Sequence, residues 1–131
     1  MAKRKRSNFR TFYIDIPVFN AGLRVIVCED IIRVEQVVTK WYGENYKFTS
    51  ARPYGKFIWL EDSTLAPTIW LSHSPKTPYS IGAMVHECNH FRDYVFSNQN
   101  INDKEAAAYF IEFLVREILT RLKTGKNANR S

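Results

Sequence analysis

Apolar positions along the chain alternate between a strand period and a helix period, and the changes of period divide it into elements. From Phe9 to Phe19 (FRTFYIDIPVF) aromatic and β-branched residues dominate until Pro17 interrupts them, which predicts a first strand. Leu23 to Cys28 (LRVIVC) predicts a second strand, entered through a turn at Asn20-Ala21-Gly22. Ile31, Ile32, Val34, Val37, Val38 and Trp41 then recur at three- and four-residue spacing, the period of a helix that stops at Gly43. A polar loop runs from Glu44 to Gly55. Lys56–Leu60 (KFIWL) and Thr68–Leu71 (TIWL) follow as short strands, and their spacing fits an antiparallel hairpin. Beyond Pro78 the period lengthens again. Ile81 to Phe96 reads as a helix broken by Ser97-Asn98-Gln99-Asn100. Asn102 or Asp103 caps a last helix whose apolar face holds Ala106, Ala107, Phe110, Phe113, Leu114, Val115, Ile118 and Leu122. The order predicts an α+β domain, with a mixed or antiparallel sheet of about three to four strands packed on three helices.

Composition adds scale and compartment. The chain has 131 residues, 45% of them apolar and 15% aromatic, enough for one core, and the pattern assigns residues 9–123 to a single domain. No apolar run approaches the ~18 residues of a membrane span, and the basic N-terminus lacks the apolar stretch of a signal peptide. The two cysteines, Cys28 and Cys88, do not form a disulfide framework, so a cytoplasmic protein with free thiols is expected. The net charge of +6 is unevenly placed. Residues 1–10 and 121–131 hold nine of the 19 basic residues and no acidic one, leaving ten against 13 between them, a body charge of −3. Residues 1–8 and 124–131 therefore read as disordered basic tails, solubilising ends that also offer weak contact with nucleic acid.

The chemistry concentrates at His86-Glu87-Cys88-Asn89-His90, an HExxH pattern within the predicted 81–96 helix. Two histidines four apart lie one above the other on a helix face, which suits two imidazoles on a single Zn²⁺. Glu87 sits about 100° around from His86, off the ligand face but within reach of water beside the ion. A catalytic zinc needs a third protein ligand and an open fourth position. Glu105 is the expected third ligand, 15 residues beyond His90 in the first turn of the next helix. Ala106, Ala107 and Ala108 after it let two helices approach closely. Tyr109, one turn on, is placed to donate to an oxyanion or to serve as a core aromatic. Asp93 shares the histidine face and could orient a ligand. His73 is a substrate-side candidate, and Cys88 reads as a small buried hydrophobe.

HECNH at 86–90, KEAAAY at 104–109 and the preceding FIWL/TIWL strand pair resemble minimal gluzincin-type zinc metallopeptidases, including small phage-encoded and ImmA/IrrE- or SprT-like domains. The resemblance covers roughly residues 56–119 and implies a small zincin-like fold with HExxH on the active-site helix. It also implies Glu105 as third ligand. The strand before the motif helix, Pro67 to Ser72, would form the edge that pairs with an extended protein or peptide substrate, making Ile69, Trp70 and Leu71 substrate-binding. If the chain is phage-encoded, its site of action would be the host cytoplasm. Asp93 stands where HExxHxxGxxH has glycine, and no four-ligand zinc ribbon is present. The expected function is an intracellular peptidase in which zinc activates water and Glu87 is the general base. The alternative is a nucleic-acid- or partner-binding accessory protein that keeps a zincin fold without turnover.

Overall fold

The computed structural model of the chain describes residues 8–43, 46–47, 54–60 and 65–124; the two basic ends fall outside these, apart from Asn8 and Thr124. Strands β1 (Arg10–Ile16) and β2 (Ala21–Val27) form an antiparallel hairpin with Arg10 opposite Val27 and Ile16 opposite Ala21. A single 3-10 turn, Pro17–Phe19, connects them, and Asn20 closes it in the left-handed region (φ 47°) by donating to the Pro17 carbonyl. The turn thus precedes the expected Asn20–Gly22 site, and Gly22 is already a strand residue opposite Asp15. Helix α1 (Ile31–Tyr42) leads to β3 (Gly55–Ile58) and β4 (Thr68–Leu71), and then come α2 (Pro78–Asn98) and α3 (Lys104–Lys123).

Each helix end has a local cause. The Asp30 carboxylate accepts from the Arg33 amide to start α1, and Gly43, at φ 72°, ends it in a conformation costly for any residue with a Cβ. Thr77 and Ser80 form a reciprocal capping box around Pro78, which fixes where α2 begins. At α3 the Asp103 carboxylate accepts from the amides of Glu105 and Ala106.

The four strands form one mixed sheet in the order β1-β2-β4-β3, antiparallel except where β2 and β4 run parallel. Helices cover both faces. Because side chains alternate along a strand, Leu23, Val25, Val27, Ile69, Leu71 and Phe57 meet Met84, Cys88, Phe91 and Val95 of α2 and Phe110, Leu114 and Ile118 of α3. Ile26, Cys28, Ile58 and Trp70 face the other way, onto Val34, Val38 and Tyr42 of α1. Among the described residues the fold is therefore mixed α+β with three helices, as the pattern predicts. Among the described residues no helix is long and apolar enough to cross a membrane.

One expectation is corrected. β4 is not an edge: both of its sides are paired, by β2 and by β3, and all four of its residues are buried. Ile69, Trp70 and Leu71 therefore cannot pair with a substrate strand. The continuous apolar run of TIWL reflects burial on two faces, which sequence periodicity does not separate from a half-buried edge. The edge beside α2 is β3.

Phe19, Phe91, Phe96 and Phe110 form a ring cluster, with centroids 5.1–5.6 Å apart, that holds α3 against the C-terminal half of α2. On the opposite face the Trp70 indole donates to the Cys28 carbonyl at 2.8 Å. The Tyr42 hydroxyl lies 2.7 Å from the Ala66 carbonyl and 2.9 Å from Thr68 Oγ1. Burial, ahead of any other influence, raises the Tyr42 pKa above 10.0. Tyr42→Phe leaves the buried Thr68 hydroxyl short of a partner and should cost about 1–2 kcal/mol in urea unfolding. The unfolded chain ionises this phenol near pH 10 while the folded chain keeps it neutral, so its contribution is complete below that pH and lost above it. Tyr42→Phe should correspondingly flatten the decline of stability above pH 10.

Candidate metal centre

Helix α2 presents different chemistry on different sides. Met84, Cys88, Phe91 and Val95 are buried against the sheet, which turns His86 and His90 outward on the opposite side. The two imidazoles stand edge to face, 86° apart, with centroids at 4.7 Å and Nε2 atoms at 3.1 Å. Two nitrogens bound at 2.0–2.1 Å to one tetrahedral ion are separated by roughly 3.3 Å, so the pair is already near the spacing that a shared cation requires. As neutral rings they share one proton in a hydrogen bond, whereas a cation between them would engage both lone pairs. His86, Glu87 and His90 bring their ligand atoms within 4.8 Å of one another, a group able to hold a metal ion. It lies on one turn of one helix, so its spacing is set by backbone geometry and not by a mobile loop.

Glu87 differs from its neighbours because it is only 4% exposed. It points along the seam between α2 and the start of β3. A Cβ built on Gly55 would stand 2.9 Å from the Trp70 carbonyl oxygen and 3.3 Å from Glu87 Cγ. Gly55 is therefore a close-approach glycine: its missing side chain is the space that lets the carboxylate sit against the sheet edge. Sequence reasoning placed Gly55 at the end of a loop. The available signal was a lone glycine opening a β-run, which often marks a tight backbone contact.

Cys88 does not belong to the cluster. Its thiol is fully buried, and its pKa is pushed up to about 12, by burial first and by the Glu87 carboxylate second. It is a neutral core group, as expected. Cys28 is buried as well, with its thiol 3.8 Å from the Asp30 carbonyl oxygen.

The other expected site residues are scattered. Glu105 and Tyr109 lie with Glu112 and Arg116 on the exposed side of α3, the last two forming an ion pair, and Tyr109 is 66% exposed. Glu105 is not a member of the His86–Glu87–His90 group. The cause is the direction of α3. It folds back along α2 so that Phe110 meets Phe91 and Phe96, which leaves the first turn of α3 beside the last turns of α2, at Arg92, Phe96 and Ser97. Asp93 turns to Arg92, at 2.9 Å. His73 is exposed just past β4, with Nδ1 2.7 Å from Ser72 Oγ and Nε2 3.5 Å from a Glu29 carboxylate oxygen.

Two outcomes follow from this packing. Gly55→Ala must displace either the Trp70 carbonyl or Glu87, and should lower stability by about 1–3 kcal/mol, measured by thermal unfolding. Neither cysteine should react with iodoacetamide in the folded protein at pH 8, and both should react in guanidinium, which mass spectrometry of the labelled chain would read directly. No family model matches this chain, and no curated protein and no solved structure is significantly similar to it, so its functional reading rests on the geometry itself.

Proposed function

We propose that the chain is a zinc-dependent peptidase with Glu87 as its general base. One observation carries the reading: two imidazole Nε2 atoms 3.1 Å apart on one helical turn, beside a carboxylate buried between them and the sheet edge. A structural ion needs no such carboxylate. The donor set of paired imidazoles without a thiolate suits zinc among the common ions. Zinc bound there would supply Lewis acidity, polarising a carbonyl and bringing the pKa of water towards ~7.

The remaining work falls to the chain. His86 and His90 would hold the ion. Glu87, one residue along and about 100° around the helix, takes a proton from the attacking water and returns it to the departing amine. Burial against Gly55 restricts its rotamers, which fixes where that proton is accepted. The partner is a protein or peptide substrate, and an extended one would pair along β3, which among the described residues is the outermost strand beside β4. Glu105 enters through the family resemblance alone.

The test uses the full chain. It should carry one zinc per molecule by elemental mass spectrometry, lost in His86→Ala and in His90→Ala. Glu87→Gln should retain zinc and lower kcat/KM on a proteome-derived peptide mixture by about 10²–10⁴-fold. Absence of zinc, or cleavage unaffected by Glu87→Gln, would refute the peptidase. Glu105→Gln should weaken zinc binding roughly tenfold or more if it is the third ligand, and unchanged affinity removes it from the site.

A further inference from the structure

The outward stripe of α2 does not consist of histidines alone. Tyr79, Ala83, His86, His90 and Tyr94 follow one another at spacings of four, three, four and four residues, so they share one side of the helix. Each tyrosine is matched by an aromatic residue flanking β3. Tyr54, immediately before the strand, stacks on Tyr79 with ring planes 17° apart and centroids at 6.3 Å. Trp59, immediately after it, packs on Tyr94 at 6.1 Å, and both also contact Phe57, at 5.4 and 5.8 Å. Two helix-to-strand aromatic pairs therefore bracket the metal cluster, one at each end of the α2–β3 seam.

Tyr94 packs against the core, whereas the other three rings are exposed. Tyr79 is 75% exposed, Trp59 50% and Tyr54 40%, although each lies beside a partner ring against which it could bury further. Three large aromatics held in water around one cluster form apolar walls that a ligand side chain would cover. Spacing names the ligand. Tyr79 and Tyr94 are 15 residues apart on the helix, roughly 22 Å at 1.5 Å per residue. An extended chain at about 3.3 Å per residue spans that length in about seven residues, and the Tyr54–Trp59 separation of five residues along the strand, roughly 17 Å, in about five. Among the described residues β3 is the outermost strand on this side of the sheet, lies between the walls, and suits such a chain by strand addition.

Resting on the peptidase reading above, we propose that Tyr54 with Tyr79, and Trp59 with Tyr94, are the specificity walls of this site. They select an unfolded segment of about five to seven residues that carries a large aromatic or aliphatic side chain towards each end, with the attacked bond between them. The walls act independently because the metal cluster separates them. Each reads one side chain.

The experiment uses the full chain bearing Glu87→Gln, loaded with Zn²⁺, so that binding is measured without turnover. Fluorescein-labelled ten-residue Ser/Ala peptides carry Phe at two positions six apart, at either one alone, or at neither. The doubly substituted peptide should bind at least about tenfold more tightly than the unsubstituted one, with each Phe contributing a share. Tyr79→Ala should abolish the gain from one Phe only, and Trp59→Ala the gain from the other only. Both side chains are largely solvent-facing, and Trp59→Phe, which keeps a ring, should restore the preference. In parallel, wild-type chain is incubated with a random peptide library and cleavage products are sequenced by mass spectrometry. Equal affinity for all four peptides, or variants that weaken all of them alike, would overturn the walls. Cleavage without side-chain preference would also overturn them while leaving the peptidase standing. Two-ended binding without any cleavage would instead uphold the walls and remove the peptidase.

Discussion

The contact on which the site depends is the close approach of α2 to the first residue of β3. A carboxylate withdrawn from water is costly, and a helix placed one side chain further from the sheet would leave Glu87 either solvated or crowded out. Gly55 removes that side chain. Its open α-carbon lets Glu87 Cγ settle against the strand while the Trp70 carbonyl closes the other side. The approach is held from behind by Met84, Cys88 and Phe91, which are fully buried against Ile69 and Leu71 and set the rotation of α2. That rotation turns His86 and His90 outward and Glu87 sideways. Backbone geometry and core packing thus produce the cluster together, before any ion is considered.

The sheet topology has a second consequence for the same seam. Because β4 pairs with β2 in parallel and with β3 antiparallel, it lies inside the sheet, covered by α1 on one face and by α2 on the other. A strand so enclosed is a rigid floor. β3, only four residues long, lies on that floor with its outer side turned from the sheet. Short edge strands are less prone to pair indiscriminately with other chains.

Much of this was legible in the residues. The four strands, three helices, a cap at Asn102 or Asp103 and the HExxH face all follow from period and punctuation, because each depends on local sequence. What escaped depended on distant neighbours. TIWL has the same composition whether it forms an edge or an interior strand, and only its pairing with Leu23–Val27 decides between them. Where Glu105 lies relative to the histidines depends on how the ring cluster of Phe19, Phe91, Phe96 and Phe110 sets α3 along α2, and no spacing rule contains that. Gly55 and Glu87 are 32 residues apart, so their contact is invisible until the chain is folded.

Cys88 shows why the arrangement on α2 is hard to replace piecemeal. It lies between His86 and His90 and next to Glu87, yet its own side chain is in the core, where burial keeps the thiol protonated. A larger residue there would press on Ile69 and Leu71 and rotate the helix, and a charged one would be buried without a partner. Rotation by even a fraction of a turn would carry Glu87 off Gly55 and carry the histidines with it, since all three are fixed to one rigid backbone. The identity of a residue that touches no ion therefore constrains the geometry of the residues able to hold one. The unit that the fold specifies is a complete turn of helix seated on a glycine, and the three polar side chains follow from that seating.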